Sequence, residues 1–191
     1  MMKNSILIPL FCLAFVSTLT AQREETLFGR NGFDLTGAWG SATYNYSFFD
    51  DDYAYNRGGN LALEFGNSFL VGYGWSRFKD YASPEGLRDF RLRYNGVLIG
   101  LVPRSHKAVH PRLTALLGGG KLFLEDSNVT DKVFVFQPSA GLEINVFQWF
   151  RLGLEGGYRI VANENVNGLE AQDISSPFAQ IDLRFGFSWD W

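Results

Sequence analysis

The chain has 191 residues, a formal net charge of −3 and a single cysteine, Cys12. This length fits one domain, and a weakly acidic chain without a basic run gives no indication of a nucleic-acid partner. An internal disulfide is excluded, because one cysteine cannot pair within the chain. Aromatic residues make up 16% of the sequence, and there are 21 glycines. This composition, with few helix formers, favours β structure.

The first 22 residues have the organisation of an export signal. Lys3 precedes the apolar run ILIPLFCLAFV, and small or polar residues follow as far as Gln22. The run is too short to cross a bilayer as a helix, so we expect a signal peptide at residues 1–22 that is cleaved after Ala21 or Gln22. Cys12 has large apolar neighbours, which does not fit a lipoprotein signal. Residues 23–191 are then the exported domain.

The exported sequence alternates between apolar and polar residues with a period of two, as β-strands with one apolar face do. No later segment is long and apolar enough to predict a transmembrane helix. Eight alternating runs are predicted as strands: residues 32–47, 60–66, 69–77, 89–102, 112–125, 133–146, 150–160 and 178–191. One irregularity is Pro138 in the sixth run. It cannot donate a ladder hydrogen bond, so we expect a β-bulge or a different register there.

The connections between the runs also alternate in length. Short turns follow the second and sixth runs, whereas most other connections are longer and polar. The predicted loops are residues 48–57, 80–88, 126–131 and 163–175. Residues 103–111 depart from this rule, because a nine-residue connection stands where a short turn is expected. The asymmetry predicts long loops at one end of a sheet and tight turns at the other, with both termini on the side of the turns.

The volume of the apolar side chains decides which face of the sheet points outward. An eight-stranded barrel has an interior that ordinary side chains already fill, so the many Phe, Tyr and Trp side chains would overfill it. Facing lipid, they need no enclosed space. Residues Ile181 to Trp191 extend roughly 33 Å, which a tilt of about 40° reduces to roughly 25 Å, the height of an outer-membrane apolar band. We therefore predict an all-β, eight-stranded antiparallel up-and-down transmembrane β-barrel.

This arrangement places the charged residues inside and aromatic residues at the two membrane interfaces. Buried charges must be paired, and both signs are present. The expected charge network of the lumen is Glu64, Arg91, Arg93, Lys121, Glu143, Glu155, Arg159, Asp182 and Arg184. The expected interface aromatics are Phe65, Phe69, Trp75, Trp149, Phe150, Trp189 and Trp191.

The signal, the eight runs, the loop asymmetry and the terminal sequence LRFGFSWDW together resemble the small eight-stranded outer-membrane barrels of Gram-negative bacteria, the OmpA/OmpX-like group. The signal ending TAQ resembles signals of Bacteroidota. The resemblance covers residues from about 30 to 191. It implies a porin-like protein of the cell envelope, located in the outer membrane, whose C-terminal strand is read by the outer-membrane assembly machinery. Trp191 replaces the more usual terminal Phe.

Other motifs give weaker signals. His106 and His110 have helical spacing for metal ligands, but no third ligand is evident, and we expect a polar turn there. Asp50-Asp51-Asp52 is expected to be a solvated acidic loop, although a cation bridging lipopolysaccharide phosphates is an alternative. Gly118-Gly119-Gly120 lacks the Lys-Ser/Thr of a phosphate loop and is expected to ease strand curvature.

The leading hypothesis for function is a structural or surface-loop role in envelope integrity or adhesion, with a lumen plugged by ion pairs. A narrow channel or transporter for a small solute is the first alternative, and a soluble lipocalin-like ligand-binding barrel is the second. No catalytic, metal or cofactor site is expected, because no His lies on the long-loop side to activate a serine. The expected partners are membrane lipid and lipopolysaccharide, and a monomer is expected.

Overall fold

A computed structural model describes residues 34–49, 52–66, 68–83, 89–125, 130–162 and 170–189. Each strand pairs antiparallel with the next, and the last pairs with the first, which confirms the predicted eight-stranded barrel. The predicted signal peptide, residues 1–22, lies outside the described residues. No helix in the described ranges is long and apolar enough to cross a membrane. The elements are β1 Leu35–Phe48, β2 Tyr53–Phe65, β3 Phe69–Phe78, β4 Phe90–Leu101, β5 Val109–Leu124, β6 Thr130–Phe147, β7 Phe150–Ala162, α1 Ala171–Ile174 and β8 Ser176–Ser188.

Several strands are longer than the alternation predicts. β2 begins at Tyr53, so most of the predicted loop 48–57 is strand, and the prediction was wrong there. Tyr53 and Tyr55 continue the outward apolar face, and the polar residues on either side of them in the sequence had suggested a loop. β5 begins at Val109, which shortens the predicted connection 103–111. The connections that follow β2, β4 and β6 lie at one end of the barrel, the turn end, and those that follow β1, β3, β5 and β7 lie at the other, the loop end.

Pro138 causes no bulge. The pairing of β6 with β5 runs without a shift past Ala115↔Pro138, and the pairing with β7 keeps one register on both sides of Pro138. Only the ladder towards β7 is interrupted, at Gln137 and Pro138. A proline on a strand therefore removes one bond locally without changing which residues face each other, and the expected bulge was wrong.

Over most of the height of the barrel, apolar side chains point outward and charged side chains point inward, as predicted for a membrane barrel. On β8, Phe185 is 49% exposed on the outside, whereas its neighbour Arg184 is fully buried inside. On β7, Leu154 points outward and Glu155 inward. A soluble barrel would show the reverse arrangement, because its apolar side chains would fill the interior.

The strands are staggered around the barrel. A row of directly paired residues that starts on β1 at Gly37 returns to β1 at Ser47, ten residues nearer the loop end. With strands roughly 4.8 Å apart and roughly 3.3 Å per residue, this stagger corresponds to a strand tilt of about 40°. The row consists of Gly37, Glu64, Leu70, Gly100, Thr114, Ser139, Gly157, Phe178 and Ser47. Every such row therefore climbs towards the loop end in the direction from β1 to β8.

Candidate functional site

Glu143 on β6 is the centre of a buried ionic cluster in the turn-end half of the interior. Its Oε2 atom accepts a hydrogen bond from Arg184 Nη1 and lies 3.6 Å from Arg112 Nη1. Its Oε1 atom lies 3.3 Å from Arg151 Nη1 and 3.2 Å from His110 Nε2. All five side chains are buried. One carboxylate thus joins β6 to basic side chains from β5, β7 and β8.

Two further carboxylates share the cation of Arg112. Arg112 Nη1 lies 3.0 Å from Glu155 Oε1 and 3.0 Å from Asp182 Oδ2. Ser139 donates a hydrogen bond of 2.6 Å to Glu155, and Thr43 donates one of 2.6 Å to Asp182. Each carboxylate therefore has a cation and a hydroxyl donor, which is the condition under which charge can be buried without a large penalty.

Glu64 on β2 lies near the turn end of the barrel and accepts hydrogen bonds from a different set of donors. Trp39 Nε1 donates to its Oε2 atom at 2.8 Å, Ser188 donates at 3.0 Å, and Arg151 Nη1 lies 3.5 Å away. The Arg151 guanidinium also stacks 3.8 Å from the Trp39 ring centroid, a cation–π contact. Our sequence reasoning missed Trp39 as an interior residue. Its phase was the available signal, because it lies two residues from the inward Ser41 and therefore on the same face of β1.

Arg159 on β7 is a buried cation that neutral groups hold. Its guanidinium donates to Ser47 Oγ at 2.7 Å, to Tyr94 Oη and Gln137 Oε1 at 3.1 Å each, and to Asn45 Oδ1 at 3.3 Å. It is fully buried. Among the described residues no carboxylate forms an ion pair with it, so its charge is offset by oriented dipoles and by the faces of adjacent aromatic rings.

Above Arg159 the interior becomes apolar. Phe78 and Phe90 pack with ring centroids 6.2 Å apart, and Phe49 meets Phe90 edge-on at 5.4 Å. Ile174 of the short helix α1 packs into the same cluster. Other buried members are Leu92, Leu98, Leu116, Leu122, Leu124, Val133, Val135 and Val161. The loop-end half of the barrel thus has the hydrophobic core of a water-soluble protein.

A small cavity of about 40 Å³ separates the ionic and apolar layers. Its lining includes Thr43, Asn60, Thr114 and Gln180. At 10–15 Å³ per water, this volume holds roughly three water molecules. The interior therefore contains a polar pocket between two packed layers.

Six of the nine charged residues predicted for the lumen are buried in the interior, and three are not. Glu64, Glu143, Glu155, Arg159, Asp182 and Arg184 are the six. The prediction was wrong for Arg91, Arg93 and Lys121, which lie on the outward face of β4 and β5. Their apolar neighbours Phe90 and Leu122 occupy the interior in their place.

The error has a physical cause. Alternation identifies two faces of a strand but does not say which face is inward, and we applied one rule to the full strand length. On β4 the outward residues change from Val97, Ile99 and Leu101 near the turn end to Arg91 and Arg93 near the loop end. Where a strand extends beyond lipid, the ordinary arrangement of charge outside and apolar groups inside applies again.

The predicted interface aromatics that are described all lie on the outer surface. Trp75 is near the loop end, and Trp149 and Trp189 are near the turn end. Trp149 stacks with Phe147 at 5.5 Å, and Trp189 Nε1 donates to the Leu35 carbonyl at 2.8 Å. Phe65, Phe69 and Phe150 are half-buried near the turn end. Trp191 lies outside the described residues.

The histidines differ from their predicted setting. His106 is exposed in the turn, but His110 is buried at the start of β5 and contacts both Glu143 and the Lys107 carbonyl, so the expectation of a solvated turn was wrong for it. No group of metal-ligating side chains occurs among the described residues. Asp50 and Asp51 lie outside the described residues, and Asp52 accepts a hydrogen bond of 2.8 Å from the Ser83 amide.

Comparison with known proteins identifies the fold. No protein-family model and no curated protein matches the sequence. The N-terminal β-barrel domain of OprF from Pseudomonas aeruginosa matches with a TM-score of 0.58 and 14% identity, over 80% of this chain and 98% of that one. Neisserial surface protein A matches with a TM-score of 0.56 and 12% identity, over 84% of this chain and 99% of that one. The chain shares the fold of small eight-stranded outer-membrane barrels.

Proposed function

We propose that this protein is an integral barrel of the bacterial outer membrane with a closed interior and a structural or surface-loop role in the cell envelope. The observation that carries this proposal is the pairing of an apolar exterior with an ionic interior on adjacent residues such as Phe185 and Arg184. Exposed apolar side chains on this scale favour lipid as the surroundings. The same observation argues against the soluble lipocalin-like alternative, which requires an apolar interior.

The interior arrangement supports a plug. Ions crossing the barrel would have to break the contacts of Glu143 with its basic neighbours and then pass a packed apolar layer around Phe78 and Phe90. Eight strands leave little space that side chains do not fill. We infer an anchoring or loop-presenting protein, in which the barrel holds the loop end at the cell surface.

Planar-bilayer recording tests this inference. The purified full chain is expected to insert without steady conductance, since both interior layers are closed. A steady conductance step in the unmodified protein would contradict the plug. The matched variant is Glu143→Ala, which removes the common anion of the ionic layer, and Asp80→Asn serves as an exposed control. A plug formed by two layers predicts that Glu143→Ala increases flickering without producing a stable pore.

A narrow channel for a small solute is the second candidate, and the polar cavity of about 40 Å³ is the observation in its favour. If Glu155 gates a path through this cavity, Glu155→Ala should alter the solute permeability of reconstituted vesicles. Permeability equal to that of empty vesicles, for both the variant and the unmodified protein, would leave the plug as the better account.

Among the described residues, the buried histidine of the interior gives no support for an enzymatic role. Both ring nitrogens of His110 face oxygen atoms, of Glu143 and of the Lys107 backbone, so neither is free to activate a nucleophile.

We also infer that the protein is a monomer and that its C-terminal strand is read by the assembly machinery. Cell fractionation with heat-modifiable gel mobility tests the location, and extraction without detergent would count against it.

A further inference from the structure

Five basic side chains lie side by side on the outer surface at directly paired positions of five successive strands. The pairs are Arg57↔Arg77, Arg77↔Arg93, Arg93↔Lys121 and Lys121↔Lys132. We call this row the basic stripe. All five side chains are exposed, and among the residues that the structure describes no carboxylate forms an ion pair with any of them. Like charges that face each other across strands destabilise a sheet, so folding alone does not account for the row.

On β3 and β4 the basic stripe marks the upper limit of the apolar exterior, whereas on β2 the outward Tyr53 and Tyr55 lie above Arg57. On β3 the outward residues below Arg77 are Tyr73 and Trp75, and the next outward residue above it is Lys79. Because rows climb towards the loop end, the stripe rises roughly 12 Å over its four strand spacings of roughly 4.8 Å at a tilt of about 40°. In a membrane-embedded barrel, as proposed above, the upper part of the stripe, on β4 to β6, lies at the headgroup layer at the loop end.

A groove opens in the upper part of the stripe. It has a volume of about 600 Å³ and is bordered by Arg93, Lys121, Lys132 and Phe123. Gly119 forms part of its floor, since it points outward and carries no side chain. A Cβ atom there would meet only the Val133 carbonyl oxygen, at 3.8 Å. Three cations therefore surround a recess that no side chain of the described residues fills.

We propose that the basic stripe binds the phosphate groups of a membrane lipid, with the Gly119 groove as the principal seat. Phosphate forms strong charge-assisted hydrogen bonds with clustered Arg and Lys. The groove ends at the paired residues Asn95 and Gly119, and the next outward pair towards the turn end, Val97 and Leu117, is apolar and exposed. A ligand with phosphate at one end and acyl chains at the other matches both parts, whereas a soluble anion uses only the first. The proposal rests on the proposed membrane location.

Binding of bisphosphorylated lipid A and of its dephosphorylated form to the full chain in phosphatidylcholine nanodiscs tests this. The site variant is Lys121→Gln/Lys132→Gln. The control, Arg104→Gln/Lys107→Gln, also removes two positive charges, but at the turn end. Affinity for the phosphorylated lipid is expected to fall roughly tenfold or more in the site variant, since each basic residue at a membrane surface contributes measurably. The affinity of the control variant for the phosphorylated lipid should remain within about twofold of that of the unmodified protein.

Gly119→Leu separates a built seat from diffuse attraction, because it occupies the groove and keeps every charge. It is expected to weaken binding of the phosphorylated lipid, and unchanged binding would overturn the groove as the seat. Equal affinities for both lipid forms, or equal losses in the site and control variants, would overturn the proposal as a whole. Full competition by equimolar inorganic phosphate would overturn the lipid as ligand. Failure to insert into uncharged nanodiscs would instead contradict the membrane location.

Discussion

At the scale of single residues, the interior contains two kinds of buried charge: several that are ion-paired, and one, on Arg159, that only neutral groups hold. Glu143 is the shared anion of Arg112, Arg151 and Arg184. Arg159, by contrast, is held by neutral oxygens such as Ser47 Oγ and Tyr94 Oη. Removing the anion leaves the buried Arg184 without a carboxylate partner among the described residues and takes one of several carboxylate partners from Arg112 and Arg151. Removing Arg159 leaves only neutral acceptors unpaired. These two situations have different free-energy costs.

We expect Glu143→Gln to lower the free energy of unfolding by about 3–5 kcal/mol, the cost of breaking a buried ion pair. Arg159→Met should cost less, about 1–3 kcal/mol, the penalty for unsatisfied neutral groups. Urea unfolding in phospholipid vesicles, followed by tryptophan fluorescence, measures both. The exposed control Asp80→Asn should change stability by less than about 0.5 kcal/mol. Equal losses for Glu143→Gln and Arg159→Met would contradict the distinction.

At the scale of strands, β4 and β5 approach each other closely at two facing glycines, Gly96 and Gly118. A Cβ on Gly118 would overlap the carbonyl oxygen of Asn95 and would lie 2.5 Å from the Cα of Gly96. The neighbouring Gly119 points outward into open space. Of the three consecutive glycines, the close approach of the strands therefore requires Gly118 most strictly, and a Cβ on Gly120 would also lie only 2.8 Å from the Arg93 carbonyl oxygen. Gly119 only shapes the outer surface.

We expect Gly118→Ala to lower the free energy of unfolding by about 1–3 kcal/mol through overpacking against backbone that cannot move aside. Gly119→Ala adds the same methyl group one residue away and should change stability by less than about 0.5 kcal/mol. Thermal or urea unfolding of the two variants in the same vesicles gives the comparison. A Gly118→Ala protein as stable as the Gly119→Ala protein would show that the strands can separate without cost.

The strands also show how far the sequence could predict the structure. From Ile181 towards the turn end, β8 alternates between outward apolar residues such as Phe185 and inward polar ones such as Arg184, so its orientation there followed from the pattern. β4 has an equally clear alternation, but its loop end lies inside out relative to that rule, with Phe90 inside and Arg91 outside. The middles of the strands face lipid, whereas their loop ends extend into water, where charged residues face outward. The alternation alone does not show where along the strand this change occurs.

The same limit applied to the site. Its acidic residues could be found from their phase, because Glu64 stands between Leu63 and Phe65, and Glu155 directly follows Leu154, on the turn-end halves of their strands. Partners could not be found, since the contact of Arg112 with Asp182 depends on a stagger of strands that only the complete register determines. Single-strand patterns predict faces, whereas pairing across the interior is a property of the closed barrel.

At the scale of the whole molecule, the apolar exterior predicts a dependence on depth. Leu154 lies at mid-height on β7, directly opposite Leu142 and Ile181, whereas Phe147 lies at the turn-end edge of β6. Both side chains are exposed. In lipid an arginine costs about 2–4 kcal/mol at the midplane and about 0–1 kcal/mol near the interface.

Leu154→Arg should therefore destabilise the protein in vesicles by about 2–4 kcal/mol, and Phe147→Arg by no more than about 1 kcal/mol. Urea titration of each variant measures the difference. In a barrel surrounded by water both substitutions would be tolerated, because both positions are on the surface. Two small and equal effects would thus contradict a lipid environment around β7.

The seam between β1 and β8 determines how the molecule can come apart. Trp189 ties the end of β8 to β1 through hydrogen bonds to the carbonyls of Leu35 and Thr36, and the ladder continues to Ser47↔Phe178. Peeling either strand away would leave two rows of naked amide and carbonyl groups in hydrocarbon, at several kilocalories per mole for each group. The sheet therefore cannot unfold strand by strand from one edge, and we expect the whole barrel to unfold in one cooperative step.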